Sequence, residues 1–559
     1  MKKIILFTIG TLFSLASTAQ EKKDGFSDFL EEELNNFDSF VDEANKNFIR
    51  FMRDPWKEFK AEKPVKKRLK PEPVKPVVYD EKTTPKDQTP VCLKIEEILD
   101  MTTAEGRAKP VVKVKDADDI TFDTPKVIIK KKKEPTVIVV EEKVPEKKPV
   151  THPTKKPVVV VEPVKKPVKE TPEPTVTDPI PVIKPAIPVP SAKPNLPVFN
   201  TGEGRKKTTY GGEVLYLNNA LDRECKLSGT SENAITDAYE SLSESNYQPL
   251  LKDILSVKSE MRLNDWGMYQ LVKSVADTYC ATANESIVMQ QFLLNEMGYK
   301  ARIARKTNDN KLVLYVAPDC QLFGSIYIVL NGQKYYDLNS TNPYQFFMCQ
   351  LDSPKAKNTI DMHLKSAPVF SGEHATVTRQ AKGSATKATV SVSKKLMDFY
   401  KSYPQCDYGV YANAGVASEV EEKLLSSLSA YVSGKSEVEA ANLLINFVQT
   451  GFEYERDELQ FGYEKPFFVE ELFYYPYSDC EDRSILFAYL VRKLMKRDVV
   501  FLDYPEHIAT AVCFNENVGG DYIMVEGKKY TVCDPTYVGA TIGMTMPQFK
   551  QVAAKVLKY

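Results

Sequence analysis

The sequence predicts an α+β protein in which each folded part is a helix packed on an antiparallel sheet, placed after a long disordered linker. Three observations support this fold class. Residues 61–205 are rich in Pro, Lys and Val and poor in large apolar side chains, which predicts disorder. Residues 414–559 read as helices followed by short strands with turn signals between them. An imperfect copy of that pattern in residues 206–350 predicts a second domain of the same kind.

Residues 1–19 have the composition of a secretory signal peptide. Lys2 and Lys3 form a positive n-region, Ile4–Ala16 is apolar, and Ser17–Ala19 supplies a small-x-small cleavage site. The apolar run is too short to span a bilayer comfortably, so we expect cleavage and export to the periplasm or out of the cell. An uncleaved anchor is the alternative. No later segment is apolar enough for a membrane span.

Residues 25–60 show the periodicity of an amphipathic helix. Apolar residues recur at helical spacing with acidic residues between them, and they are Phe29, Phe37, Phe40, Val41, Ala44, Phe48 and Phe51. Pro55 is expected to end or kink this helix. One helix cannot bury its own apolar stripe, so it must dock on the folded body, on a membrane surface or on a partner. Because a long linker follows, a protein partner is favoured.

The predicted linker, residues 61–205, is expected to act as a tether. Its prolines favour the extended polyproline II conformation, and it has too few large apolar groups to offset the entropy of ordering. One interruption, Val91–Met101, is predicted to form one or two helical turns and to serve as a small docking motif.

Charge and motif content exclude several classes of function. The formal net charge is −1, and no basic run in a folded segment is interleaved with aromatic residues, which argues against nucleic-acid binding. The sequence contains neither a P-loop nor a dinucleotide-binding fingerprint, so no cofactor is expected. His152, His363 and His374 have no partner at metal-ligand spacing, so no metal site is expected.

The 9 cysteines are too few for a disulfide scaffold at this length and contain no CxxC pair. Export would permit some disulfides, and Cys320, Cys349 and Cys406 are the candidates, although the sequence does not pair them. The odd total leaves at least one thiol free.

One cysteine stands where a nucleophile would be activated. Cys480 precedes an amphipathic helical stretch, and Ser478 or Asp479 can cap that helix, which places the thiol in its first turn. The helix dipole favours the thiolate there, and the thiolate is the nucleophilic form. Glu481 and Asp482 oppose this effect, so an imidazolium partner is needed. A lone cysteine at a helix start is more often structural, so the hypothesis depends on its partners.

His507 and Asp534 are the expected partners. His507 begins an apolar run that reads as a strand, and Asp534 directly follows a later strand. If these strands are antiparallel neighbours, the carboxylate can accept a hydrogen bond from one ring nitrogen and fix the tautomer. Cys480, His507 and Asp534 would then form a catalytic triad that needs only donors for an oxyanion.

These three segments resemble the transglutaminase-like superfamily in its bacterial exported branch. Asp479–Ser484, His507–Val512 and Cys533–Thr536 carry the resemblance, which covers residues 414–559. It implies a papain-like fold, in which a helix bearing the cysteine packs on an antiparallel sheet bearing the histidine and the aspartate.

The resemblance also implies a role for each residue. Cys480 would be the nucleophile, His507 the general base and acid, and Asp534 the carboxylate that orients the imidazole. The family often has a small residue after the cysteine, where this chain has two acidic residues. The acidic variant is more similar to the bacterial cysteine-peptidase branch.

An internal repeat predicts a second copy of this domain without its chemistry. Four-residue matches begin at Asn284 and Asp482, and at Gly332 and Gly527. The first match opens a helix in both copies and the second opens a strand.

In this register Thr282 stands at the position of the predicted nucleophile and Asn339 at that of the predicted carboxylate, and the strand Lys311–Val316 contains no histidine. Residues 206–350 are therefore expected to be a degenerate transglutaminase-like domain that binds, positions or stabilises. Residues 351–413 would connect it to the C-terminal domain with the triad.

Two functions of different classes follow. The first is an exported thiol enzyme, a cysteine peptidase or amidase or a transglutaminase-type acyltransferase, that acts on amide bonds of peptides or proteins through an acyl-enzyme. Hydrolysis is favoured because no acceptor-amine site is evident. The second is a non-catalytic binding or scaffold protein of the cell envelope that uses the same fold. The expected partners are a peptide or protein substrate and a protein that binds the N-terminal helix.

Overall fold

The computed structural model describes residues 44–66, 78–79, 89–102, 112–113, 204–505 and 507–559. The predicted signal peptide, the first part of the predicted N-terminal helix and most of the predicted linker lie outside these ranges. The described part is α+β, as the sequence predicts, with helices packed on largely antiparallel sheets.

The N-terminal half consists of a hairpin, a group of helices and a sheet, with elements numbered in chain order. Helix α1 spans residues 44–52. The hairpin strands are β4 (Arg205–Tyr210) and β5 (Glu213–Asn218). The helices that follow are α2 (Glu232–Ser243), α3 (Gln248–Glu260), α4 (Asp265–Tyr279) and α5 (Ala283–Glu296). The sheet strands are β1 (Lys57–Lys60), β6 (Ala301–Lys306), β7 (Leu312–Val316), β8 (Ile326–Leu330), β9 (Gln333–Asp337) and β10 (Gln345–Met348).

The C-terminal half repeats this sequence of hairpin, helices and sheet. Its hairpin is β11 (His374–Gln380) and β12 (Lys387–Ser393). Its helices are α6 (Lys394–Lys401), α7 (Tyr408–Ala412), α8 (Ser418–Val432), α9 (Glu437–Gly451), α10 (Asp457–Gln460), α11 (Val469–Tyr474) and α12 (Cys480–Leu490). A short parallel pair joins β13 (Glu453–Tyr454) to β14 (Tyr477–Ser478). The sheet strands are β2 (Ile95–Asp100), β3 (Val112–Lys113), β15 (Asp498–Asp503), β16 (Ile508–Cys513), β17 (Tyr522–Val525), β18 (Lys528–Cys533) and β19 (Ala554–Lys558).

The two sheets have the same strand order. The first runs β1-β10-β6-β7-β9-β8, and the second, read from its β3 edge, runs β3-β2-β19-β15-β16-β18-β17. Apart from β3, every strand of the second sheet therefore has a counterpart in the first. In each half one helix, α5 or α12, directly precedes the sheet in sequence. The chain thus builds the same strand order twice, and each copy is completed at one edge by a strand from the N-terminal segment. That strand is antiparallel to its neighbour in the first sheet and parallel to it in the second.

Each sheet is buried on both faces. One continuous apolar core joins the helices to the inner faces of the two sheets, and it includes Leu314 and Val512. Separate, smaller cores cover the outer faces, where Tyr315 and Val532 lie. Alternate residues of a strand point to opposite faces, so the central strands β7 and β16 carry apolar residues on both faces.

The N-terminal helix docks on the protein's own body, so the predicted preference for a partner is wrong for its described part. Phe48 and Met52 are buried, and the Phe48 ring lies edge-on to Tyr239 with 6.0 Å between ring centroids. The helix ends at residue 52 and strand β1 follows Pro55, so the prediction of a helix up to residue 60 is also wrong. Proline restricts the backbone and ends the helix here.

The predicted docking motif Val91–Met101 does pack on the body, but as a strand and not as helical turns. Strand β2 pairs in parallel with β19, and Leu93 and Ile98 are buried in the outer core of the second sheet. An isolated helical turn gains few hydrogen bonds, whereas a sheet edge offers a ready set of backbone partners. Residues 61–205 are therefore not a linker throughout.

Candidate functional site

Cys480 is the first residue of helix α12, which lies within the first turn that the sequence predicts for it. Asp479 precedes the helix, and its backbone N–H donates to Oδ2 of Asp482 at 3.2 Å. The thiol is buried, with Cys480 only 2% exposed. One turn later, the Ser484 hydroxyl donates to the carbonyl oxygen of Ile508 at 3.2 Å. The thiol-bearing end of the helix is thereby held against the start of strand β16.

His507 and Asp534 are brought together by the sheet. Strands β16 and β18 are antiparallel neighbours, so the residue before β16 lies beside the residue after β18. Nε2 of His507 lies 2.8 Å from Oδ2 of Asp534, and both side chains are buried. The second carboxylate oxygen, Oδ1, accepts from the backbone N–H groups of Thr536 at 2.9 Å and Tyr537 at 3.2 Å. The carboxylate is therefore fixed on both sides.

Two aromatic rings hold the plane of the imidazole. The Phe549 ring is stacked on His507 with 5.1 Å between centroids and an interplanar angle of 16°. Tyr504 stacks on Phe549 at 4.7 Å. Nε2 is directed at Asp534, so the other ring nitrogen, Nδ1, takes no part in that hydrogen bond.

Gln449, in helix α9, supports the Asp534 loop and is a residue that sequence reasoning missed. Its side-chain amide donates to three carbonyl oxygens, those of Asp534 at 3.1 Å, Tyr537 at 2.7 Å and Ala540 at 3.0 Å. Its carbonyl accepts from the backbone N–H of Gly539 at 3.2 Å. A buried glutamine with this many backbone partners could not be recognised from a single sequence.

The thiol of Cys480 donates to Oε2 of Glu481 at 3.1 Å. The guanidinium of Arg483 is buried nearby and donates to the carbonyl oxygens of Gln449 at 3.3 Å and Phe452 at 2.8 Å, at the end of helix α9. Burial lowers the pKa of Arg483. The guanidinium of Arg483 therefore satisfies carbonyl oxygens at the C-terminal end of helix α9.

The structure brings two members of the predicted triad, His507 and Asp534, into hydrogen-bond contact. The catalytic role of all three stays a prediction.

A cluster of buried carboxylates surrounds the start of helix α12. One oxygen from each of Asp457, Glu464, Asp479 and Glu481 lies within 4.8 Å of the others. All four residues are buried. Burial, followed by repulsion from Asp482 and Glu481, raises the pKa of Asp457 to about 10. Such a group of oxygens could hold a cation, whereas the sequence predicts no metal site. The spacing rule missed it because the ligands come from separate segments of the chain.

A second, partly exposed group consists of Asp319, Asp361 and His363. Nδ1 of His363 lies 3.0 Å from Oδ1 of Asp361 and 3.4 Å from Oδ2 of Asp319. The imidazole therefore contacts both carboxylates of the group. It does not resemble the buried cluster, which contains carboxylates alone.

All 9 cysteines are free thiols in the structure. Among the disulfide candidates, Cys320 and Cys406 lie together, and their contact, with burial, raises the pKa of Cys320. Cys349 lies elsewhere, with its carbonyl oxygen 3.0 Å from Arg302. Cys225 and Cys280 form another contact, which the sequence analysis did not anticipate.

The first copy has no counterpart of the predicted triad. Its helix α5 is capped by Thr282, as α12 is preceded by Asp479, so Ala283 occupies the position of Cys480. The sequence alignment, which placed Thr282 there, is wrong by one residue because both helices begin with the same capping arrangement. The hairpin register does confirm that Asn339 matches the residue after β18. Strand pairing places Lys311 where the second copy has its histidine.

The copies also differ in the segment before the helix. In the first copy, only residues 280–282 separate α4 from α5. In the second copy, residues 452–479 separate α9 from α12. This segment, which we name the insertion, contains α10, α11 and the short parallel pair. It supplies Asp457, Glu464 and Asp479, so this carboxylate cluster belongs to the copy that contains Cys480 and has no counterpart in the first copy.

Comparison with protein-family models, with curated proteins and with solved structures finds no match to this chain. Among the described residues, no helix has both the length and the apolar character that crossing a bilayer requires.

Proposed function

We propose that the protein is an exported thiol enzyme that cleaves amide bonds in peptides or proteins through an acyl-enzyme. The observation that carries the proposal is the buried hydrogen bond between His507 and Asp534, next to the strand on which the Cys480 helix is packed. A histidine held by a carboxylate is the arrangement that general-base catalysis requires.

The chemistry assigns one task to each residue. His507 takes the proton of the Cys480 thiol, and the sulfur attacks the carbonyl carbon of the substrate amide. A C–S bond forms, the C–N bond breaks, and the imidazolium returns its proton to the leaving amine. Water then attacks the thioester, releases the acid and restores the thiol. Asp534 keeps the imidazole in the tautomer that accepts the thiol proton.

We also propose a transglutaminase-like fold for both copies and export from the cytoplasm. Two transglutaminase-like, papain-like domains would account for the repeated strand order, the first retaining the fold without the chemistry. Export rests on the sequence of residues 1–19. Hydrolysis is favoured over transfer because water is the more abundant acyl acceptor.

The test is the rate at which the purified full-length chain reacts with iodoacetamide at neutral pH, followed residue by residue by peptide mass mapping. Cys92 is an exposed thiol and provides the reference rate within the same molecule. An activated thiolate at Cys480 should react faster than Cys92 in spite of its burial, and His507→Ala should abolish that advantage. His374→Ala, which removes a histidine distant from Asp534 in sequence and on a different sheet, is the matched control.

If Cys480 reacts more slowly than Cys92 and His507→Ala changes nothing, the enzyme proposal is wrong. If Cys480 is activated, a mixture of peptides incubated with and without a primary amine separates the two outcomes. New carboxyl termini indicate hydrolysis. Acyl products in which the added amine has replaced ammonia or the leaving peptide indicate transfer.

A binding or scaffold function is the second candidate. It is favoured by one specific observation, that the first copy keeps the complete strand order while Ala283, Lys311 and Asn339 replace the triad positions. Affinity capture from an envelope extract with a Cys480→Ala chain would recover a stoichiometric partner under this hypothesis. A partner bound equally well by wild-type protein and by Cys480→Ala would favour it over catalysis.

A further inference from the structure

We propose that Cys320 and Cys406 form a disulfide bond when the chain folds in an oxidising compartment, and that this bond fastens the first copy to the start of the second. Cys320 lies in the loop between β7 and β8, and Cys406 lies between helices α6 and α7. The proposal rests on the export that is part of the proposed function, because disulfides persist in oxidising compartments and are rare in the cytosol. It leaves Cys480 outside the pair.

The backbone holds the two cysteine-bearing segments side by side. Leu322 forms an antiparallel bridge with Cys406. Next to this bridge, the backbone N–H of Phe323 donates to the carbonyl oxygen of Gln405 at 3.0 Å. Opposite Cα atoms of paired antiparallel strands are about 4.5–5.5 Å apart. A disulfide spans about 4.4–6.8 Å between Cα atoms, so the two segments are held at a separation that it can bridge.

The thiols of Cys320 and Cys406 contact each other within this framework. The residues that follow them are also bonded, since the backbone N–H of Gln321 donates to Oδ2 of Asp407 at 3.2 Å. Cys320 is 7% exposed and Cys406 is 0% exposed, so the contact lies inside the protein. In the structure both are thiols. Only the removal of two hydrogens and a small movement of the sulfur atoms separate this contact from a covalent bond.

The oxidant is a disulfide, either that of an oxidised thiol–disulfide oxidoreductase or that of oxidised glutathione. One cysteine thiolate attacks a sulfur of this disulfide, forms a mixed disulfide and releases one thiol of the oxidant. The second cysteine then attacks its partner's sulfur and releases the other thiol. The protein gains one S–S bond, the oxidant's S–S bond is reduced, and its two thiols take up the two protons.

The bond is expected to form during folding and not afterwards. Contact with Cys406, followed by burial, raises the pKa of the Cys320 thiol in the folded protein. The thiolate is the form that attacks a disulfide, so a buried thiol with a raised pKa reacts slowly. The unfolded or partly folded chain exposes both thiols to the oxidant.

The bond would tie the first sheet to helix α7. It closes a long loop that contains β8–β10, the hairpin β11–β12 and α6. Helix α7 follows Cys406 and contacts the second copy, where the Tyr408 ring lies edge-on to Phe501 of β15 with 6.5 Å between centroids. The carbonyl oxygen of Ala412 accepts from Arg492, just after helix α12, at 3.1 Å. The cross-link therefore lies where the two copies are joined.

The test maps the thiols of the full-length chain after unfolding in guanidinium chloride and refolding with reduced and oxidised glutathione, which does not require export. Free thiols are blocked with iodoacetamide in denaturant, and the protein is digested without reduction. We expect a linked pair of peptides that contain Cys320 and Cys406 and separate on reduction. Folded, reduced protein in the same glutathione mixture should form the bond at least ~10-fold more slowly, because its thiols are buried.

The bond should raise the melting temperature by about 5–10 °C, because a disulfide across a long loop restricts the unfolded chain. Cys320→Ser and Cys406→Ser should each lose the linked peptides and this stabilisation. Cys349→Ser is the matched control, because Cys349 is also a buried cysteine, at 9% exposure. It should keep both the linked peptides and the stabilisation.

Alkylation of both Cys320 and Cys406 in the refolded, unreduced wild-type protein would overturn the proposal, whether or not the variants fold. Linkage of either residue to a different cysteine would also overturn it. Free thiols in protein prepared from cells, with the bond present after refolding, would overturn export and leave the pairing intact. The alkylation rate of Cys480 reports on the proposed enzyme separately, so failure of the pairing is distinguishable from failure of that function.

Discussion

Nε2 of His507 lies 2.8 Å from Oδ2 of Asp534, across 27 residues of sequence. The contact follows from the register of two strands, in which Thr510 pairs with Cys533 and Val512 pairs with Thr531. Residues that immediately precede one strand and follow its antiparallel neighbour must meet at the same end of the sheet. The helix that starts at Cys480 is held against the first of these strands by the hydrogen bond from Ser484 to Ile508.

Replacing Asp534 by Asn should slow the reaction of Cys480 with iodoacetamide on the order of 10³-fold, because general-base assistance contributes about 10²–10⁴ and depends on the correct tautomer. The side chain of asparagine has nearly the same volume, so the folded structure should persist. Peptide mapping of labelled protein gives the rate. Asp498→Asn, at an exposed carboxylate, is the control. Equal rates in the two variants would show that Asp534 does not act through His507.

Replacing Gln449 by Leu should lower the free energy of unfolding by about 3 kcal/mol or more. The change leaves several buried carbonyl oxygens of the Asp534 loop without a donor, at about 1–3 kcal/mol for each unsatisfied group. Chemical denaturation followed by circular dichroism measures the effect. Gln548→Leu, at an exposed glutamine, should change stability by less than about 0.5 kcal/mol. A Gln449→Leu protein as stable as wild type would contradict the role assigned to this side chain.

Stability should fall as the pH rises through about 7, in part because of Glu470. Burial raises the pKa of this carboxyl from its usual value to about 7 in the folded protein. The folded state therefore holds the proton more tightly than the unfolded chain. The resulting stabilisation is fully present below the unfolded pKa, about 4.3, and is lost as the pH rises through the folded value. Its size is on the order of 3 kcal/mol.

Glu470→Gln tests this dependence. The uncharged amide keeps an oxygen that can accept from the backbone N–H of Ala417 and the hydroxyl of Tyr400. We expect the variant to be more stable than wild type at pH 8.5 and nearly equal to it at pH 5, with thermal unfolding as the measurement. A constant difference between the two proteins across this range would contradict the assigned titration.

Leu93→Ala should lower the free energy of unfolding by about 2–4 kcal/mol, the usual effect of truncating a buried leucine. Leu93 is 2% exposed although it lies in the Pro-rich part of the sequence. Denaturation with urea measures the loss. Val91→Ala, at a partly exposed position two residues earlier, should have a smaller effect. Equal small effects at both positions would show that the segment does not pack on the second sheet.

The sequence predicted the α+β class, a helix with Cys480 in its first turn and the strands next to His507 and Asp534, because hydrophobic periodicity and turn residues are local signals. It did not predict that β2 completes the second sheet, since pairing at an edge depends on what the rest of the chain leaves open. Gln449 was missed for the same reason, because its partners are about 90 residues away in the chain. The cluster of Asp457 and Glu464 with Asp479 also depends on the folded path of the insertion.

The prediction that the N-terminal helix binds a protein partner was based on its apolar face, which the helix cannot bury by itself. Periodicity shows that Phe48 and Met52 share a face, but not which surface covers it. The structure covers that face with the first copy, where Arg53 also pairs with Asp237 at 2.6 Å. A sequence pattern in one segment predicts which residues must be buried, but the surface that buries them depends on the rest of the chain.

Ala283 begins helix α5 at the position where Cys480 begins helix α12, and each helix directly precedes a sheet with the same strand order. The first copy therefore shows that alanine is accommodated as the first residue of this helix. A Cys480→Ala protein should fold normally and present an intact surface to whatever the wild-type protein acts on. Under the proposed function this variant cannot form the acyl intermediate, so it would act as bait that retains uncleaved substrates, and their sequences would define the recognition rule directly.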